Sequence, residues 1–193
     1  MIRSYTASDS DAVRSICLET ADARLAGNPL TKNSVLRVFC DYYIEQEPQN
    51  CFVAVDEAGV AMGYILCAEN FQQWRAEFNR RYLKKSLNPI TKMMGKATVE
   101  ELANISEQYP AHLHINLRPQ CQRQGLGTRL LDALIAHLHE KDVSGLCLSV
   151  GKNNQKGKSF YTKYGFAVLR ECEQDVLMGI RIPCEHDSRG ATI

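Results

Sequence analysis

The segment spanning residues 117–131, LRPQCQRQGLGTRLL, constrains this chain more than any other. An apolar run stops at a proline, a short polar turn with two glycines follows, and an amphipathic stretch then begins. Gln122, Gly125 and Gly127 stand at the spacing Q-x-x-G-x-G. Without side chains at Gly125 and Gly127, the backbone can approach a ligand closely, and successive N–H groups can point into one concavity. A helix starting at this turn adds its unpaired first-turn N–H groups and the positive end of its dipole. Strand, turn and helix together form a site for a phosphate or diphosphate.

The rest of the chain supplies elements to flank that turn. Residues 2–5 suit a short first strand. Ser8, with Asp11 three positions on, reads as the cap of a helix over 9–22 that carries Ala12, Val13, Ile16 and Cys17 at helical spacing. A second helix fits 33–46, with Val35, Leu36, Phe39 and Tyr43 on one face and Pro48 beyond its end. The valine-rich runs 51–55 and 60–68, joined by Asp56-Glu57-Ala58-Gly59, predict a hairpin. Residues 70–109 read as a helical excursion between strands, with Phe71, Trp74 and Phe78 spaced as a stripe that favours packing and a second short helix near 98–107. Then come a strand at 112–117, a helix at 125–141 with a leucine every fourth position, a strand at 146–150 and a helix at 154–164 ended by Gly165. Strands at 166–169 and 176–182 close the pattern. The expectation is one domain over 1–184, the helical insertion at 70–109, and a loose tail over 185–193.

Bulk properties narrow the partners. Hydrophobic residues make up 45% and charged residues 23%, as in ordinary globular chains. A formal net charge of +1 offers no general attraction to nucleic acid or anionic membrane, so any anion site must be local. The eight cysteines are scattered, without a C-x-x-C pair. Most lie among apolar neighbours, which together with an N-terminus lacking a signal-like run leads us to expect a reduced, cytoplasmic protein. No stretch reaches the roughly 18 apolar residues of a membrane span.

The order strand, Q-x-x-G-x-G, helix, strand, then Asn154, Tyr161, Gly165 and Phe166 within NQKGKSFYTKYGF resembles the GCN5-related N-acetyltransferase (GNAT) superfamily. Two motifs fall in family order, and the resemblance covers nearly all of residues 1–183. More narrowly, YPAHLHINLRPQCQRQGLG and the insertion before it resemble acetyltransferase-like domains related to those found beside O-GlcNAc hydrolases. Two departures stand out: Asn116 where those relatives often have aspartate, and Gly157 where the family commonly has alanine. The resemblance implies an α/β fold, with a mixed, mostly antiparallel twisted sheet of six to seven strands flanked by helices. It also implies acetyl-CoA as co-substrate, no metal, a small amine or peptide as acceptor, and a monomer or homodimer.

The same resemblance assigns roles. Main-chain amides of Arg123, Gln124, Gly125, Leu126, Gly127 and Thr128, with Gln122, would hold the CoA diphosphate, and Lys158 would add charge. Arg118, Arg129, Lys152 and Lys156 also lie near in sequence; each is otherwise a solvated surface charge. Leu117 would offer backbone groups to the pantetheine arm and an N–H to the thioester carbonyl. Tyr161 matches the family tyrosine that protonates the departing thiolate; a phenol of pKa about 10 can serve a thiol titrating near 8.5. Its plain alternative is a packed aromatic. Asn154 would orient the pantetheine, cap the helix, or do both.

The acceptor amine needs a base. His112 and His114 alternate on one strand and share a face. Arylalkylamine acetyltransferases resemble this, although their His-x-His pair sits one residue farther from the glycine turn, a shift that changes the sheet face unless a bulge compensates. Two histidines bonded to backbone are the alternative. Glu69 and Asn116 are further candidates facing the acceptor, and the base stays open. Covalent catalysis through Cys121 or Cys147 lacks a motif-placed base. Against direct acetyl transfer stand a catalytically silent acyl-CoA-binding module and a different nucleotide-binding protein, whose G-x-G-x-x-G or Lys-Ser/Thr signatures are missing.

Overall fold

The computed structural model describes residues 1–183. Seven strands form one sheet in the order β1-β2-β3-β4-β5-β7-β6. They are β1 (Ile2–Ser4), β2 (Phe52–Val55), β3 (Ala61–Ala68), β4 (Ala111–Leu117), β5 (Gly145–Gly151), β6 (Ala167–Glu171) and β7 (Asp175–Arg181). All neighbours are antiparallel except β4 and β5. The expected mixed, mostly antiparallel α/β architecture is therefore the observed one.

Strand alternation divides the core into two layers. On one side Tyr64, Leu66 and Ala68 of β3 meet α1 (Ser10–Thr20), α3 (Pro29–Leu36), α4 (Tyr42–Gln46) and α5 (Phe71–Phe78). On the other side Ile65, Leu113 and Leu148 meet α7 (Leu126–Glu140), whose Leu130, Leu131, Leu134 and Leu138 are fully buried. The short α2 (Ala23–Ala26) and the longer α6 (Pro89–Ala103) join the first layer through Leu25, Met94, Val99 and Leu102, and α8 (Gln155–Tyr164) joins the second through Phe160 and Tyr161.

Three local expectations are corrected. The first helix is capped by Thr6 and Asp9, not by Ser8 and Asp11: the Asp9 carboxylate accepts from the Thr6 amide at 2.9 Å and from both Arg3 guanidinium nitrogens. The Arg3 side chain beside it holds the Asp9 carboxyl down, at about 2. The second helix begins at Pro29, because Asn28 caps it through the Leu30 amide and Pro29 is pre-set for a first turn. It then widens into a π-helical stretch, Arg37–Asp41, before α4. The insertion's second helix likewise begins earlier, at Pro89 behind the Asn88 cap, and ends at Ala103. The stripe Phe71, Trp74 and Phe78 is core, as expected, and Trp74 and Phe78 stack at 4.9 Å between ring centroids. The tail expectation over 185–193 lies outside the described residues.

The parallel pair β4–β5 positions the site. Its ladder holds only two partners, Ala111 with Leu146 and His112 with Cys147, whereas β4 stays paired to β3 through Leu117. Beyond His112 the two strands part. The Arg118 amide donates to the Met62 carbonyl at 3.0 Å. By antiparallel alternation, the N–H and C=O groups of Ile115 and Leu117 then point away from β3, to where β5 has left. Gly63 matters here: a Cβ on it would stand 2.2 Å from Leu117 Cδ2, so the Leu117 side chain leans across a residue that has none.

Candidate active site

Three cavities follow the parted strands and share walls. The first, about 490 Å³, is bounded by Leu117, Gln122, Arg123, Gly125, Gly127 and Thr128 on the turn side, and by Thr20, Asn154, Lys156, Phe160 and Tyr161 opposite. The second, about 180 Å³, fills the gap between residues 113–116 of β4 and 148–151 of β5, with Asn154 and Tyr161 at its edge. The third, about 380 Å³, continues under α6 and is walled by Phe39, Met94, Glu101, His112, His114 and Asp175 among others. Ile115, Asn116, Asn154 and Tyr161 join the first to the second; Leu113, His114, Leu148 and Ser149 join the second to the third.

The turn has the geometry of an anion cradle. Gly125 adopts φ 74° in open space, and Arg123 also takes a left-handed φ of 62°. Together they bend the chain so that α7 starts with its first-turn amides uncapped by any side chain. Gly127 borders the same cavity and meets a second demand: a Cβ there would stand 3.1 Å from the Phe160 ring, so this glycine also lets α8 close on α7. Gln122 donates to the Leu117 carbonyl at 3.2 Å and ties the turn to the strand end. Gln124, Leu126 and Lys158 do not border this cavity; Lys156 does. Of the other nearby cations, Arg118 pairs with Glu19 at 3.2 Å and Lys152 lies 3.9 Å from Glu171.

Asn154 caps α8 by accepting from the Gly157 amide at 2.8 Å. A Cβ on Gly157 would come within 2.7 Å of Asn154 Nδ2. The glycine that departs from the family pattern thus makes room for the Asn154 side chain where it also faces the gap. The Tyr161 hydroxyl borders both adjoining cavities and forms no hydrogen bond among the described residues. Burial pushes its phenol up to about 12.

On the opposite layer, His112 and His114 converge on one atom. Each Nε2 lies 3.0 Å from the Tyr43 hydroxyl. The β3–β4 ladder reaches them without a bulge, so their shared face follows from strand alternation alone. His112 is 2% exposed and its Nδ1 has no partner among the described residues. Desolvation drives the His112 pKa well below the ordinary imidazole value and brings His114 down to about 4. Burial also raises the Tyr43 phenol far above its usual range. At neutral pH all three groups are uncharged. A phenol between two Nε2 atoms donates to one and accepts from the other, which makes the two imidazoles opposite tautomers.

Sequence reasoning placed Tyr43 only on a core-facing helix. The π-helical stretch before it, a feature that recurs near functional sites, directs its hydroxyl at the histidines, and no helical periodicity signals that. Phe39, Glu101 and Asp175 were missed for the same reason: each borders the third cavity from a different element.

Asn116 faces the gap and donates to the Tyr64 hydroxyl at 2.8 Å. Glu69 is drawn elsewhere: it pairs with Lys141 at the far end of α7 and borders none of the three cavities. Burial raises the Cys147 thiol to about 12, which keeps it from being a nucleophile, and Cys121 borders none of these cavities. No group of three or more His, Cys, Asp or Glu side chains disposed to hold a metal ion is found among the described residues, and no described helix is long and apolar enough to cross a membrane.

Comparison with known proteins gives one consistent family. Residues 21–166 match the model of the acetyltransferase (GNAT) family. The crystal structure of SsHAT is similar at 26% identity with a TM-score of 0.84, covering 95% of this chain and 98% of that one. The PaiA N-acetyltransferase of Thermoplasma acidophilum, solved in complex with coenzyme A, shares the fold at 16% identity and a TM-score of 0.60, over 94% and 98% of the two chains. An N-acetyltransferase from Staphylococcus aureus shares it at 14% identity and a TM-score of 0.60, over 95% and 98%.

Proposed function

The chain belongs to the acetyltransferase (GNAT) family, and from that premise we propose that it transfers acetyl from acetyl-CoA directly to an amine within a ternary complex. One observation carries the reading: an unbroken line of cavities runs from the uncapped α7 amides, through parted strands, to a buried His–Tyr–His cluster.

In this reading the diphosphate sits on the amides of residues 123–128, with Arg123 and Lys156 beside it. The pantetheine arm occupies the place β5 has vacated and bonds to the outward-facing groups of Ile115 and Leu117. The acetyl group then lies between Leu117 and Tyr161. The Leu117 N–H stabilises the oxyanion of the tetrahedral intermediate, and Tyr161, kept protonated by burial, hands its proton to the leaving thiolate. The amine enters from the third cavity past His114. When His114 is the Nε2–H tautomer, it takes the amine's proton at Nδ1 while its Nε2–H donates to the Tyr43 oxygen and the Tyr43 hydroxyl donates to His112 Nε2. The proton stays on His114 at the mouth, because burial holds the His112 imidazole neutral, and it leaves by way of the third cavity.

The test is release of free CoA from acetyl-CoA across a panel of amines, with Tyr161→Phe as the diagnostic variant. We expect kcat to fall about 100-fold or more, with KM for acetyl-CoA little changed. Full turnover in that variant removes Tyr161 as the acid. Calorimetric binding of acetyl-CoA without CoA release from any amine would instead identify an acyl-CoA-binding module.

A further inference from the structure

We infer that the accepted amine is compact and carries a second basic group, which Glu101 and Asp175 hold; this rests on the acetyl-transfer reading above. The two carboxylates come from distant elements, α6 in the insertion and the first residue of β7, and meet on the wall of the third cavity. Neither forms an ion pair within 4.0 Å among the described residues. Their neighbours on that wall include Phe39, Met94 and Leu102, and no lysine or arginine borders it. Burial and the Asp175 charge raise the Glu101 pKa, outweighing the exposed Arg170 on β6 and a hydrogen bond from Ser149, which both lower it; among the described residues the carboxylate has no cationic partner on its own wall.

The polarity along the cleft is therefore reversed from end to end. Among the described residues, the coenzyme cavity carries Arg123 and Lys156 and no carboxylate, and the acceptor cavity carries two carboxylates and no lysine or arginine. Like charges on a partly apolar wall repel and are poorly hydrated, and a ligand cation relieves both costs. An independent feature also points to a ligand here. His112 faces the same cavity, is 2% exposed, and leaves Nδ1 without a partner among the described residues, an orphan that a polar atom of a ligand would satisfy. At about 380 Å³ the cavity suits a small molecule. The reacting amine sits at His114, next to the strand gap, and the second basic group, whether amine, guanidinium or imidazole, reaches the carboxylates behind it.

The experiment compares initial rates of CoA release with histamine, agmatine and putrescine against butylamine and phenethylamine. We expect kcat/KM to favour the dibasic amines by roughly tenfold or more, the effect of one charge-assisted contact. In Glu101→Gln and in Asp175→Asn that ratio should move toward unity. The wild-type comparison needs no variant, so a misfolded substitution cannot mask the result. Equal rates for mono- and dibasic amines, or a ratio unchanged in both folded variants, overturns the second-group inference and leaves acetyl transfer standing. No CoA release from any amine, with acetyl-CoA still bound, overturns both.

Discussion

The Tyr43 hydroxyl lies 3.0 Å from Nε2 of His114, and it makes the same approach to His112. One hydroxyl thus serves two imidazoles, one of them buried and the other at the cavity wall. Removing it should affect both, so Tyr43→Phe separates this cluster from a pair of independently packed histidines. The ring stays and its packing with it. Two buried nitrogens lose their partner, at a cost of about 1–3 kcal/mol in stability by urea unfolding. If the cluster fixes the His114 tautomer that takes up the proton, kcat falls about 100-fold in the same variant. Unchanged turnover in a folded Tyr43→Phe protein would reduce the cluster to a structural one.

Acid should destabilise the fold through these same histidines. Their folded pKa values are lowered by burial, His114 to about 4 and His112 well below the ordinary value, whereas an unfolded imidazole titrates near 6.5. Between those values the unfolded chain binds more protons than the native one, so stability rises with pH. The contribution is complete above about 6.5 and is lost as pH falls toward 4. Urea midpoints measured across that window should decline with acidification, and a His112→Asn/His114→Asn double variant should show a shallower slope. Identical slopes for the two proteins would place the acid sensitivity elsewhere.

Gly157→Ala tests the close fit between Asn154 and α8. On helix propensity alone, alanine should stabilise by up to about 1 kcal/mol. Its Cβ would meet Asn154 Nδ2 at 2.7 Å and Cγ at 2.9 Å, displacing a cap worth about 1 kcal/mol. The expected result is no net gain in stability and weaker acetyl-CoA binding, because Asn154 also borders the gap. A clear stabilisation with unaltered affinity would show that the side chain moves aside freely.

Lys156 and Lys158 give a matched pair on one helix. Lys156 borders the coenzyme cavity and Lys158 does not. By calorimetry, Lys156→Ala should weaken acetyl-CoA binding by roughly tenfold, one charge-assisted contact, and Lys158→Ala by less than about twofold. The reverse order would restore Lys158 as the coenzyme's partner.

The spacing Q-x-x-G-x-G, the leucines of α7 and the Gly59 and Gly165 turns are local properties, set within a few residues by backbone freedom and helical or strand period. The glycine turn, the strand before it and the helix after it are accordingly legible from residues 117–131 alone, and so is the shared face of His112 and His114. Errors arose where two local signals competed: Asp9 is drawn to Arg3, so the first cap moved from Ser8 to Thr6, and Asn28-Pro29 outranked an apolar pattern that starts at residue 33. Gly127 carries a demand of another kind. That position serves Phe160, thirty-three residues on, and only packing of α7 against α8 reveals the need. Tyr43, Glu101 and Asp175 belong to the same class. They come from α4, α6 and β7, elements whose order along the chain says nothing of their convergence around His112 and His114, Tyr43 by hydrogen bonds and the two carboxylates across a shared cavity. Chain-local physics determined the coenzyme-binding turn and the strands that frame it. The acceptor side was decided by tertiary structure, because burial, lost hydration and the meeting of charges from separate elements exist only once the layers close.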